Sequence, residues 1–352
     1  MRELLVQAEL IKLSRVLGAK DDAVDFLAPL GVEALRRLEN RISDVLFNEH
    51  RTAFQKLADA SRLLPASLVA KMSELVFGPM LSARIAGLMQ PDRAIEVAAR
   101  LKTKFLADVT MEMDPRSASE LLRRMPAQIV VDVARLLLQR REYVTMGRFV
   151  DDLTDEAIRR VSDSITDDEA LVRIGFFVER RERLRELVDL LSDERLRRVV
   201  TASAIGPVDV QNAGLAMMSQ LGERQQGRFG EAAIALGPRV LNALVAVAQR
   251  EQATDIVGAV MQNVGERGRA TFAKMLADMD STMLAGWARA TTEAQLWPPA
   301  LHILAAASAE IQQQAAAALG RLGKAERAPI AAAVKSAGLE GALGVLRPAL
   351  SR

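Results

Sequence analysis

Residues that could do chemistry are few and widely separated in this sequence. The two histidines, His50 and His302, are 252 positions apart, and cysteine is absent. Neither histidine has a metal-ligand partner at helical spacing, so the sequence predicts no zinc site and no histidine-based triad. His50 follows Asn48 and Glu49 at a predicted helix end, where it would interact with the helix dipole. His302 follows "WPPAL" and is predicted to be a packed or surface residue.

Two further patterns suggest chemistry but have simpler explanations. The glycines of "LGERQQGRFGEAAIALG" lack the lysine and hydroxyl of a phosphate-binding loop, and we interpret them as an interhelical turn. The acidic pairs Asp151/Asp152 and Asp167/Asp168 have the ligands for a divalent ion, but caps and helix ends account for them. We therefore predict no catalytic residue, no cofactor and no metal site, and do not expect an enzyme.

Candidate partner contacts come from a charged run and two tryptophans. In "FFVERRERLRELVDLLSDERLRR" the arginines alternate with carboxylates, which is typical of a solvent-exposed face with ion pairs. Arg180, Arg181 and Arg183 in this run are candidate contacts to a protein partner. Trp287 and Trp297 are either core residues, the favoured interpretation, or an anchor for that partner. A net charge of +2 and 4% aromatic residues argue against nucleic acid.

The elements that hold these residues show a repeated pattern. The stretch "LTDEAIRRVSDSI" from Leu153 resembles "LGVEALRRLENRI" from Leu30 and "LSDERLRRVVTAS" from Leu191. In the middle copy the apolar residues follow each other in steps of four, one, three and four, which is one face of an α-helix.

Weaker copies start at Leu64, Met89 and Met125. The six starts alternate longer and shorter steps, and two successive steps span roughly sixty residues, which is typical of stacked helical hairpins. The residue after each start is mostly one that favours a helix N-terminus: Gly31, Pro65, Pro126, Thr154 or Ser192. Asp114 is a predicted cap before Pro115, and "TDDE" from Thr166 is a predicted capping box. We predict an all-α superhelical array, an α-solenoid of stacked hairpins.

The composition of the sequence changes at 201–210. Arg/Glu-rich helices give way to Ala- and Gly-rich ones, so we expect an Arg/Glu-rich repeat region at 1–202 and an Ala/Gly-rich helical region at 203–352 that continues or caps the array. The opening recurs in degenerate form at Leu236 and Met279, where Leu241 and Leu284 follow five positions on. We predict a boundary here, without a flexible linker.

The stretch from "DPRSASELL" to "LTDEAIRRVSDSI" resembles the cytoplasmic N-terminal domain of MgtE-type magnesium transporters and the armadillo-like repeats of the flagellar rotor protein FliG. The shared features are the Asp-Pro helix start, the Met/Leu-Pro start of the next helix and the "L-[TS]-D-E" opening at Leu153 and Leu191. The resemblance implies a superhelical fold. The transporter's regulatory and membrane domains have no counterpart, so we do not expect magnesium transport, and we carry over no metal ligand.

The sequence therefore predicts a non-enzymatic cytoplasmic binding or scaffold protein that holds a protein partner on a concave surface. One alternative is a carrier of an apolar small molecule, such as a lipid, between helices lined by Ala, Leu and Met. A second is a regulator that responds to a divalent ion or a nucleotide. We find no signal peptide and no apolar run long enough to span a membrane, which favours the cytoplasm.

Overall fold

The computed structural model describes residues 2–48 and 50–350, and in these residues the chain is built from α-helices without any β-strand. The predicted all-α class is confirmed. Within the same ranges no helix is long and apolar enough to cross a membrane. Contacts divide the chain into two compact units, Arg2–Arg183 and the part from Leu184 onward, and each is described by itself.

In the first unit, helices that are two apart in sequence pack side by side. One row contains α3, α5, α7, α9 and α11, and another contains α4, α6 and α8. This order is that of stacked helical pairs. The π-helical turn Ser73–Phe77 follows α4, and the helices are α1 (Arg2–Val16), α2 (Val32–Asn48), α3 (Arg51–Ala60), α4 (Ala66–Met72), α5 (Gly78–Ala86), α6 (Pro91–Ala98), α7 (Thr103–Glu112), α8 (Pro115–Arg124), α9 (Ala127–Gln139), α10 (Tyr143–Phe149), α11 (Asp155–Ser164) and α12 (Asp168–Phe176). Helix α13 (Arg181–Leu190) crosses the division between the units.

The repeated opening marks a helix start at every predicted copy. Each helix begins two residues after the leading apolar residue, as at Leu30, Leu64 and Leu153. The intervening residue is the N-cap, and Thr154 accepts a hydrogen bond from the backbone N–H of Ala157 at 3.3 Å. Ser192 caps α14 in the same way, whereas Pro65, Gln90 and Pro126 occupy the N-cap without a side-chain hydrogen bond. The opening therefore marks where each helix starts, by a polar cap or by another residue that ends the preceding segment.

Two other predicted caps have different outcomes. Asp114 caps α8 as expected, because its carboxylate accepts a hydrogen bond from the N–H of Arg116 at 3.0 Å. The predicted capping box at Thr166 is wrong by one residue. The N-cap of α12 is Asp167, which accepts from two backbone N–H groups at 2.9 and 3.2 Å.

An arginine from a later helix binds the backbone of three of these openings, and we call this contact the arginine clip. In each case the guanidinium donates to the carbonyl oxygen of the leading apolar residue and to that of the residue three positions before it. The clips are Arg93 on Leu64 and Ser61, Arg183 on Leu153 and Val150, and Arg228 on Leu191 and Val188. The carbonyls of the leading residues lie where helical hydrogen bonding is interrupted, and the clip gives them a donor. Those of Val150 and Val188 also accept the backbone N–H of Leu153 and Leu191, each at 3.3 Å.

The same arginines explain the aspartate of the "L-[TS]-D-E" opening. Arg183 binds the Asp155 carboxylate at 2.7 Å, and Arg228 binds that of Asp193 at 3.0 Å. The motif thus combines a cap, which is the Thr or Ser, with an acceptor for the clip.

The second unit has a different period. Its helices that are three apart in sequence pack together, as in the rows α14, α17, α20, α23 and α16, α19, α22. The helices are α14 (Asp193–Ile205), α15 (Val208–Met218), α16 (Glu223–Ala235), α17 (Pro238–Arg250), α18 (Thr254–Gln262), α19 (Glu266–Asp278), α20 (Ser281–Glu293), α21 (Trp297–Ala305), α22 (Ala309–Leu319), α23 (Lys324–Ser336) and α24 (Arg347–Leu350).

Three helices make one repeat of 43 residues in this unit. Helices α17, α20 and α23 begin at 238, 281 and 324, each 43 residues after the one before. The second residue after the first helix of each repeat has a positive φ at the same spacing: 50° at Gln252, 56° at Gln295 and 64° at Gly338. The degenerate openings predicted at Leu236 and Met279 are two members of this series.

The contact division and the change of composition do not coincide. The division falls within α13, at 183/184, whereas the sequence changes character at 201–210. The third copy of the opening, at Leu191, therefore packs with the second unit.

The glycine-rich stretch is only partly an interhelical turn. Gly222 is the N-cap of α16, but Gly227 and Gly230 lie inside this helix. A Cβ atom on Gly227 would be 2.4 Å from the carbonyl oxygen of Asn263, so glycine is needed there for close packing against the end of α18.

Candidate functional site

Each histidine lies near a helix end. His50 is the N-cap residue of α3, and its ring packs edge-on against Phe54, with centroids 6.3 Å apart. Helix α2 ends at Asn48, two residues earlier, so His50 follows a helix end as predicted and also precedes α3. Glu49 lies outside the described residues. His302 is exposed, with Nδ1 2.7 Å from the carbonyl oxygen of Pro298. Among the residues described, no three His, Asp or Glu side chains are grouped as a metal site.

Both tryptophans are core residues. Trp287 and Trp297 are only 7% and 4% exposed, and their rings meet edge to face with centroids 5.2 Å apart. The indole N–H of Trp297 donates to the hydroxyl of Thr292 at 2.8 Å. Their use as surface anchors for a protein partner is therefore corrected, because neither ring is available on the outer surface.

The three candidate arginines have three different surroundings. Arg183 is 8% exposed and forms an arginine clip, so the prediction that it faces a partner is corrected. Arg180 is exposed, but its backbone N–H and guanidinium both bind Asp151. Arg181 is exposed and has no ion pair with any described residue. Of the three, Arg181 alone has a guanidinium without a structural role.

Asp151 is the most perturbed carboxylate of this region. Burial raises its pKa from 3.8 to about 6, and the nearby charge of Arg180 only partly opposes this effect. The folded state therefore holds a proton on Asp151 between pH 4 and 6 that the unfolded state has released. This group makes the protein less stable as the pH rises through this window.

We expect Asp151→Asn to stabilise the protein relative to wild type by more at pH 8 than at pH 4.5. The amide keeps an acceptor for the N–H of Arg180 but does not ionise. The difference in melting temperature between variant and wild type, followed by circular dichroism, should grow from pH 4.5 to about 7 and then stay level. The pKa of Glu39 is also raised by burial, but Glu39 is present in both proteins. Its contribution therefore cancels in the difference between the two melting temperatures. A difference that is constant with pH would contradict the assignment.

Buried and partly buried charges link the first helices of the first unit to residues far along the chain. Lys12, only 1% exposed, lies 3.3 Å from the carboxylate of Glu9 and 3.5 Å from that of Glu179. We call the whole set the charge cluster: Glu9, Lys12, Arg36, Glu39, Arg148 and Glu179. Each charge has an opposite charge within 4 Å, which offsets the cost of burial. The charge cluster therefore has a structural role, because it holds α1 and α2 against later parts of the same unit.

An unusual apolar surface lies on the outer side of α4 and the π-helical turn that follows it. Leu75 and Val76 are 83% and 71% exposed, and Leu68, two helical turns before Leu75, is exposed as well. We call Leu68, Leu75 and Val76 the outer apolar stripe. The opposite side of the same segment is buried, through Ala66, Val69 and Ala70.

The π-helical turn fixes the direction of this stripe. Glu74 accepts a hydrogen bond at 2.8 Å from the backbone N–H of Lys102, the N-cap of α7, and this bond lowers the pKa of Glu74. The turn ends at Gly78, where φ is 70°. With Glu74 held against the next helical pair, Leu75 and Val76 are turned toward solvent. Such π-helical turns are often found at functional sites.

The charges around the outer apolar stripe are mostly basic. Residues 51–84 contain five basic and two acidic side chains. Both acidic residues have partners: Asp59 binds Gln55 and Arg62, and Glu74 binds Lys102. Lys71, exposed between Leu68 and Leu75, forms no ion pair with a described residue.

Sequence reasoning missed this stripe. The only signal was the run Leu75-Val76-Phe77, which in a regular helix would contribute residues to both the core and the surface. Compared with known proteins, the chain matches no family model and no curated protein sequence. The predicted resemblance to MgtE-type and FliG-type repeats stays a prediction.

Proposed function

We propose that this chain is a non-enzymatic helical-repeat binding protein of the cytoplasm that holds an acidic amphipathic segment of a partner protein on the outer apolar stripe. The observation that carries the proposal is the exposure of Leu75 and Val76 on an element whose other side is anchored. Large apolar side chains in adjacent exposed positions favour burial against a partner, because they lose apolar contact with water there.

The basic surroundings support an acidic partner. Lys71 is exposed between Leu68 and Leu75 of the stripe, and a carboxylate of the partner would give it an ion-pair partner that no described residue provides. An amphipathic helix meets these requirements with apolar residues at a spacing of three to four and acidic residues beside them. The stacked helical pairs of the first unit support the proposal as a rigid scaffold for such a surface.

The test uses two double variants that remove the same apolar contacts but differ in charge. A photo-crosslinking residue at position 75, compared with one at the exposed Lys104 on α7, first identifies a protein that contacts the stripe. Binding of that purified protein is then measured by calorimetry to wild type, to L75K/V76K and to L75D/V76D. We expect binding about tenfold weaker for the Lys pair and about a hundredfold weaker for the Asp pair.

Both positions are exposed, so neither variant should lower the melting temperature appreciably. Binding to wild type should also weaken with added salt. Equal affinity of all three proteins, or tighter binding by the Asp pair than by the Lys pair, would overturn the proposal.

A further inference from the structure

A pocket with apolar walls opens into the second unit. Helices α15 to α21 contribute to it, and its walls include Phe229, Val245, Met261 and Trp287. The space between its atoms is about 760 Å³ when the part open to solvent is included. The volume that the centres of water molecules could occupy is only about 70 Å³. This size suits one slender apolar group better than a two-chain lipid.

Polar groups in the walls are confined to a few positions. Asn242 and Thr291 are the only lining residues with amide or hydroxyl side chains. The hydroxyl of Thr291 is already used, because it donates to the carbonyl oxygen of Trp287 at 2.9 Å. Asn242 is exposed and makes no side-chain hydrogen bond to a described residue. An apolar interior with one available amide at the solvent side is therefore the chemistry that the pocket offers.

We propose that this pocket binds a small amphipathic molecule, with a single medium-length alkyl chain inside and a hydrogen-bonding head group, such as a carboxylate, at Asn242. An unfilled apolar cavity costs stability in proportion to its volume, and a matching ligand recovers the lost contacts. The site is independent of the outer apolar stripe, which lies in the other unit.

Tryptophan fluorescence can measure ligand binding in this pocket. The chain has two tryptophans. Trp287 lines the pocket, and the centroid of Trp297 is 5.2 Å from that of Trp287. The probe is 12-bromododecanoic acid, whose bromine quenches indole fluorescence on contact, used below its micelle concentration. We expect saturable quenching of the wild type that is reversed by competition with unbrominated dodecanoic acid.

Substitutions that fill the pocket should abolish the quenching. Ala290→Phe and Val245→Phe place a ring in the pocket from α20 and α17, and each should weaken binding at least tenfold. Ala317→Phe is the matched control, because Ala317 is exposed on α22, which does not line the pocket. Asn242→Ala should weaken binding of the acid about threefold to tenfold, the range expected for one hydrogen bond.

Each outcome decides for or against the pocket. Quenching that does not saturate, or that is equal in the filled variants and in Ala317→Phe, would overturn the proposal. If one of the two pocket-filling variants loses its cooperative melting, the other is compared with Ala317→Phe. As a second measurement, dodecanoic acid at saturation should raise the melting temperature of the wild type. No rise, together with no quenching, would mean that the space is only a packing void.

Discussion

Replacing Arg183 by alanine is expected to lower the free energy of unfolding by about 3 kcal/mol. The side chain is almost completely buried and donates to the carbonyl oxygens of Leu153 and Val150 as well as to the carboxylate of Asp155. Alanine would leave the carbonyl of Leu153 without a donor, whereas that of Val150 would keep the N–H of Leu153. The penalty for an unsatisfied buried acceptor exceeds the net value of the bond. Urea unfolding followed by circular dichroism measures the change.

Arg181, two residues away, provides the matched control. Its side chain is exposed and has no ion pair with a described residue, so Arg181→Ala should change stability by no more than about 0.5 kcal/mol. Arg183→Lys keeps the charge but loses the planar guanidinium group that reaches several acceptors. Its loss of stability should therefore lie between those of the two alanine variants. Equal effects of the two alanine variants would show that the arginine clip contributes nothing.

The second large effect is expected from Gly227→Ala. The new methyl group would lie 2.4 Å from the carbonyl oxygen of Asn263, a backbone atom that can yield only if α16 and the end of α18 separate. We expect a loss of about 2 kcal/mol, because the strain of overpacking exceeds the gain in helix propensity.

Gly286→Ala is the control for Gly227→Ala in the same unit. Gly286 lies within α20, and a Cβ atom there would meet nothing within 4 Å. Alanine should therefore stabilise the helix by about 0.5–1 kcal/mol. The thermal transitions of the two variants should shift in opposite directions. Shifts of the same sign would contradict the close approach of α16 and α18.

Local signals predicted the first unit well. The openings at Leu30, Leu64 and Leu153 are helix-start sequences, and a helix start depends on a few neighbouring residues, such as Gly31, Pro65 and Thr154, that can be recognised in the sequence. The 43-residue period of the second unit was harder to find. Its repeats use alanine and glycine for close packing, and such residues leave little pattern. The positive φ at Gln252 and Gln295 carries no sequence signal, because glutamine rarely adopts this conformation.

The candidate sites could not be predicted from the sequence for a different reason. Arg181 and Arg183 look alike in a charged run, but only the fold shows that one is exposed and the other buried against carbonyl groups 30 residues earlier. The outer apolar stripe depends on a π-helical turn, which shifts Leu75 and Val76 relative to a regular helix. The pocket requires seven helices to come together, which no local pattern can indicate.

The charge cluster also constrains how the chain is made. Lys12 is neutralised partly by Glu179, so the amino-terminal helices cannot reach their final electrostatic state until that residue has left the ribosome. At synthesis rates of about 5–20 residues per second, this delay is roughly ten to thirty seconds. During that interval Lys12 has Glu9 as a carboxylate partner but lacks Glu179, so the charge cluster is complete only when the last segment of the first unit arrives.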